Sequence, residues 1–111
     1  MDELVERLSQ GEHPVVVGGP KPSLDEFRQR IVDMGYVFIK FTDTRGGTDL
    51  GVRIDKSATD VSQANFDRAA GTAHIEGTLT LNYVKARCIA DIHLESLDGT
   101  GHLIALEEVH L

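Results

Sequence analysis

Residues 72–107, TAHIEGTLTLNY followed by VKARCIADIHLES and LDGTGHLIALE, decide the fold. Apolar and polar residues alternate along them with period two, the spacing of a strand with one face on a core and one in solvent. Turn residues interrupt the alternation at Asn82-Tyr83 and Asp98-Gly99. The stretch reads as three consecutive antiparallel strands, a β-meander. It carries three of the five histidines and the only cysteine.

The first hairpin has two registers open to it. A turn at Tyr83-Val84 sets Glu76 against Asp91, a like-charge pair. A turn at Asn82-Tyr83 sets His74 opposite Asp91, Thr78 opposite Arg87 and Thr80 opposite Lys85. The second is expected, because Asn tolerates the left-handed backbone of a tight hairpin. Ile75, Leu79, Leu81 and Tyr83 then face inward with Ala86, Cys88, Ala90, Ile92 and Leu94. The second hairpin is expected to turn at Asp98-Gly99. A two-residue turn there puts Leu103 and Ala105 inside and leaves Ile104 and Leu106 outside beside Ile89. A longer loop using Gly101 reverses those faces. The first arrangement exposes an apolar patch and predicts a dimer; the second does not.

Before the meander, residues 36–43 and 48–55 alternate as two more strands. Pairing Asp43 with Thr48 sets Phe41 against Leu50, Ile39 against Val52 and Val37 against Ile54, so core meets core throughout. Tyr36 and Phe38 fall on the other face, which calls for cover from a loop, the first helix or a second subunit. Ser23 and Glu26 form a capping box for a helix running to Met34, with Leu24, Phe27, Ile31 and Met34 on one face and Gly35 as its stop. His13 to Val17 is a short strand, and residues 2–10 are a short helix that must dock or fray. Residues 56–71 lack a clean period and read as a long connection anchored by Phe66, with room for one helical turn near Val61 to Phe66.

These elements make one α+β domain over residues 1–111. A five- or six-stranded, mostly antiparallel sheet carries the 23–34 helix on its apolar face and ends in the 72–107 meander. The chain is too short to divide into two cores. With six aromatic residues and no tryptophan, the core must be aliphatic, and dimerisation is one way to complete it. A net charge of −7 with scattered Lys and Arg argues against nucleic-acid partners and anionic membranes. One cysteine permits no intrachain disulfide and suits a reducing cytoplasm. The acidic N-terminus does not resemble a secretory signal, so a cytoplasmic location is expected.

Several constellations carry residues capable of chemistry. Gly18-Gly19-Pro20-Lys21-Pro22-Ser23 leads from strand to helix, but its spacing fits no phosphate loop and its prolines remove backbone donors. Thr44-Arg45-Gly46-Gly47-Thr48 offers an anion exposed backbone N–H groups and a guanidinium, which makes Arg45, Gly46 and Gly47 the best ligand-binding candidates. His74, His93 and His102 lie on adjacent strands near Glu76, Asp91 and Glu95 and are candidate zinc ligands, although no zinc spacing is present. Cross-strand histidine–carboxylate pairs explain them more simply. Cys88 is expected to be a buried structural thiol. No set of residues assembles a catalytic centre, and no cofactor is implied.

The expectation is therefore a non-enzymatic interaction or accessory module, homodimeric, with Ile89, Ile104, Leu106, Tyr36 and Phe38 as interface candidates. The alternatives are a small-anion or metal binder, and a small enzyme with a pocket between helix 23–34 and the sheet.

Overall fold

The computed structural model describes residues 2–109. In chain order the elements are helix α1 (Glu3–Leu8), β1 (His13–Val17), helix α2 (Leu24–Gln29) continued by a π-turn (Arg30–Met34), β2 (Tyr36–Phe41), β3 (Thr48–Ile54), β4 (Ala64–Asn65), β5 (Ala70–Leu81), β6 (Val84–His93) and β7 (Asp98–Glu108). The strands form one antiparallel sheet in the order β3-β2-β1-β7-β6-β5-β4.

The single antiparallel α+β domain is as expected, but the five- or six-stranded sheet with helix 23–34 on its apolar face differs in two details. There are seven strands, and β3 also pairs with β5 through Arg53–Thr78 and Ile54–Gly77. That pairing closes six of the strands into a barrel, so the apolar face turns inward on itself. Gly77 permits the closure, since a Cβ there would sit 2.2 Å from the Arg53 carbonyl oxygen. The barrel is filled, with Val15, Val37, Ile39, Phe41, Val52, Ile75, Cys88, Ile92 and Leu103 all buried.

The helices occupy the two ends. At one end lie the β2–β3 loop and the β5–β6 turn. Here α1 packs against β7, and Arg7 reaches the Asp43 carbonyl at 2.8 Å. At the other end, α2 inserts Phe27 and Ile31 into the core, and Phe27 meets Phe66 from the 56–71 connection at 6.4 Å between ring centroids. Ser23 caps α2 through the Glu26 N–H, but the Glu26 carboxylate turns to Arg30 instead of completing the box. Gly35 stops the helix in the left-handed region, as expected. Its N–H bonds the Arg30 carbonyl, widening the last turn to a π-turn. The wider turn carries Met34 off the buried stripe, leaving it 55% exposed.

The first meander hairpin has the expected register, with His74–Asp91, Thr78–Arg87 and Thr80–Lys85 paired. Asn82 and Tyr83 both take positive φ at its turn. Tyr83 therefore points outward instead of joining the inward row. The 36–55 hairpin slips by two residues around a longer loop, keeping core against core at Ile39–Leu50 and Val37–Val52 but setting Phe41 opposite half-buried Thr48. A slip of two leaves every side chain on its own face.

Asp98-Gly99 is not a turn. The turn is Leu94 to Leu97, and Asp98 pairs with His93 inside β7. Leu94 packs into the core, and Leu97 takes positive φ and donates to the His93 carbonyl. Gly99 is needed within the strand: its Cβ would meet the Asp91 carbonyl oxygen at 1.7 Å. Leu103 is nonetheless inside and Ile104 and Leu106 outside, while Ala105 is half-buried. The 56–71 connection contains no helix. It runs back along the edge of β5, held by the Asp60–His74 bridge and by β4.

Candidate functional site

The outer face of β5 and β6 carries a continuous chain of charged side chains. Strand alternation places His74 and Glu76 of β5 beside Arg87 and Asp91 of β6. His74 Nδ1 is 2.7 Å from Asp91 Oδ1, and its Nε2 is 2.7 Å from Glu76 Oε2. Ionised carboxylates only accept hydrogen bonds, so both contacts are satisfied together when both ring nitrogens donate, that is, in the imidazolium form. Arg87 Nε donates to Glu76 Oε1 at 3.0 Å, and Nη2 donates to Asp55 Oδ2 at 2.9 Å. Asp55 Oδ1 accepts from the Ser57 hydroxyl at 2.6 Å and from the Ser57 N–H at 3.0 Å. Thr59 donates to the Glu76 carbonyl and accepts from the Glu76 N–H, fastening the connection to the β5 edge.

The electrostatics follow from these contacts. Glu76 and then Asp91 raise the His74 pKa. His74 in turn lowers that of Glu76. The Ser57 hydroxyl and then Arg87 bring Asp55 down to about 2. With its nitrogens both donating, His74 has no free lone pair to act as a base or bind a metal while the network is intact. The arrangement clamps the 55–60 segment to the barrel.

The three candidate zinc ligands are not brought together. His74 is held by the two carboxylates, His93 Nδ1 lies 3.3 Å from Thr72 Oγ1, and His102 Nδ1 lies 2.7 Å from Glu12 Oε1 without hydrogen-bond alignment. Among the described residues, no group of three or more His, Cys, Asp or Glu side chains is placed to hold a metal ion. Cys88 is buried in the barrel, and desolvation pushes its thiol up to about 12.

The apolar candidates divide. On β7, Ile104 is 42% and Leu106 56% exposed, with half-buried Ile89 of β6 diagonal to Ile104. A bulge between Lys85 and Ala86 leaves Leu106 as the extra residue, at the rim of a groove of about 500 Å3 with Arg53, Thr78, Thr80 and Lys85. On β2, Phe38 is covered by the chain itself: the Arg30 guanidinium lies 4.8 Å from its ring centroid, and Tyr36 packs edge-on at 5.5 Å. Tyr36 stays 40% exposed at the far end of the barrel from Leu106.

The 44–48 loop is tied by a 2.7 Å Thr44–Thr48 hydroxyl contact, and Gly46 and Gly47 both take positive φ. Helix α1 brings Arg7 to this loop. Arg7, Arg45, Thr44 and Thr48, with Glu3 and Leu4, line a depression of about 310 Å3.

Two features escaped the sequence. Asp55 reaches Arg87 only because β3 closes on β5, a long-range event with no local signal. His13, read only as the start of a strand, is buried and bonded through both nitrogens, to Asp43 Oδ2 at 2.8 Å and the Gln10 carbonyl at 2.9 Å. Its alternation with Val15 and Val17 was the available clue that it faces inward. Comparison of the sequence with protein-family models and with curated proteins finds no match.

Proposed function

We propose that this protein is a non-enzymatic interaction module that associates with a second copy of itself through the outer face of β6 and β7. The carrying observation is the exposure of Ile104 and Leu106 on one outward face beside Ile89. Adjacent solvent-facing aliphatics are what a protein contact surface uses at its centre. The flanking Lys85–Glu107 pair and Arg87 would supply a polar rim. The aliphatic core of a 111-residue chain adds a reason for self-association, since so small a domain gains stability by covering further apolar surface.

Light scattering coupled to gel filtration tests the reading. The expected result is a dimer that Ile104→Glu or Leu106→Glu converts to a folded monomer. A wild-type mass equal to the monomer at every concentration would overturn it.

One observation supports a second reading, a small-anion site at residues 44–48. Arg7 joins Arg45, two threonine hydroxyls and the glycine backbone there. Titration with inorganic phosphate would shift the Gly46 and Gly47 amide resonances, and Arg45→Ala would abolish the shift. No shift in the wild type ends this reading.

A further inference from the structure

Helix α1 has six residues, too few to be stable in isolation. It is nevertheless anchored, with Val5 and Leu8 fully buried and Leu8 part of the barrel core. The Asp2 N-cap also hydrogen-bonds Asn82 of the β5–β6 turn, and three further polar contacts hold the other end of the helix. Arg7 Nη2 donates to the Asp43 carbonyl of the β2–β3 loop at 2.8 Å. His13 Nδ1 faces the Asp43 carboxylate at 2.8 Å, and His13 Nε2 faces the Gln10 carbonyl at 2.9 Å, in the turn that joins α1 to β1. The His13 ring therefore stitches the α1–β1 turn to the β2–β3 loop, and Asp43 serves both Arg7 and His13.

Both His13 partners are acceptors under ordinary conditions. A carbonyl oxygen can never donate, and the carboxylate does so only when protonated. Only the imidazolium satisfies both at once. A neutral ring has one N–H, so one acceptor would face a lone pair in a buried site, which is costly. We propose that His13 is a protonation-controlled clasp on the α1 plug: with the ring charged the plug is held most firmly, and loss of one proton loosens α1 so that it opens more often and exposes the apolar end of the barrel.

The groups around the ring agree with this. From the loop, Asp43 raises the His13 pKa, followed by the Gln10 and Arg7 carbonyls, against the lowering effect of burial. From β2, the Phe41 ring meets His13 edge-on at 6.3 Å. Arg7, the nearby cation, is directed at the Asp43 carbonyl. Glu12 is turned toward His102 of β7. Because the folded value is raised, the clasp is fully engaged below the ordinary histidine value of 6.5 and disengages as pH rises through the higher folded value. The plug lies at the end of the barrel that holds the β2–β3 loop, and its loosening does not depend on the proposed self-association.

The test is amide hydrogen exchange, corrected for intrinsic rates, read beside the NMR titration of the His13 ring across neutral and alkaline pH. Protection of Glu6 and Ser9, whose amides bond within α1, should fall by about tenfold or more as His13 deprotonates, while β5–β6 amides hold. His13→Gln should show the low α1 protection at every pH. His74→Gln should leave the α1 transition in place. The proposal is overturned if α1 protection is flat through the His13 titration, or if α1 and the β5–β6 amides lose protection together. The wild-type profile decides the matter even if His13→Gln does not fold.

Discussion

At the scale of single residues, His74, Glu76, Arg87 and Asp55 act as one unit. His74 is raised by its carboxylates, so its contribution is complete below 6.5 and is lost as pH rises through the folded value. Glu76 is lowered, so its contribution is complete above 4.5 and is lost as pH falls through the folded value. The network therefore stabilises most between those two ordinary values. His74→Gln should flatten the alkaline limb of a stability–pH profile measured by urea unfolding, leaving the parts due to His13 and, above 9, to the buried Cys88 thiol. Arg87→Met should return the Asp55 carboxyl from about 2 toward its ordinary 3.8, read by carbon NMR, although the Ser57 bonds retain part of the depression. Cys88, with its thiol pushed to about 12 inside the barrel, should resist thiol reagents at neutral pH until the protein unfolds.

At the scale of elements, the turns account for what local sequence can and cannot specify. Asn82-Tyr83 was legible because alternation on both sides and charge pairing pointed to one register. Tyr83 pays for that turn with φ 63° while 63% exposed. Tyr83→Gly should relieve the left-handed penalty and raise stability by about 1 kcal/mol, measured by thermal unfolding. Asp98-Gly99 has the composition of a turn, yet Gly99 is required in the strand by its close approach to Asp91. Gly99→Ala should destabilise by about 1–3 kcal/mol or more through forced backbone movement, and Gly77→Ala should loosen the β3–β5 seam in the same way. Those two glycines resemble turn or breaker signals in the sequence. Their role depends on neighbours far away along the chain.

At the scale of the whole molecule, closure of the sheet separates a packed inner face from an outer face that carries the His74–Glu76–Arg87–Asp55 network and the exposed Ile104 and Leu106. Leu103→Ala in the filled interior should cost about 2–5 kcal/mol with no change in association state. Ile104→Glu, one residue along, should alter monomer stability by less than about 0.5 kcal/mol and act on association instead. This contrast between neighbouring residues, measured by unfolding and by light scattering, separates the core from the proposed contact face.

By itself the sequence determined the period-two strands, the first meander register, the Ser23 cap, the Gly35 stop and the outward placement of His74 and Glu76, because each rests on neighbours close along the chain. It left Ile104 and Leu106 with two possible faces, since their side depended on a turn that could not be read locally. The tertiary structure decided closure of the barrel through β3 and β5, placement of the helices at its ends, and the joining of Asp55 to Arg87 and of His13 to Asp43. Alternation says which side of a strand a residue occupies. Only the curvature of the closed sheet says which distant strand lies beside it.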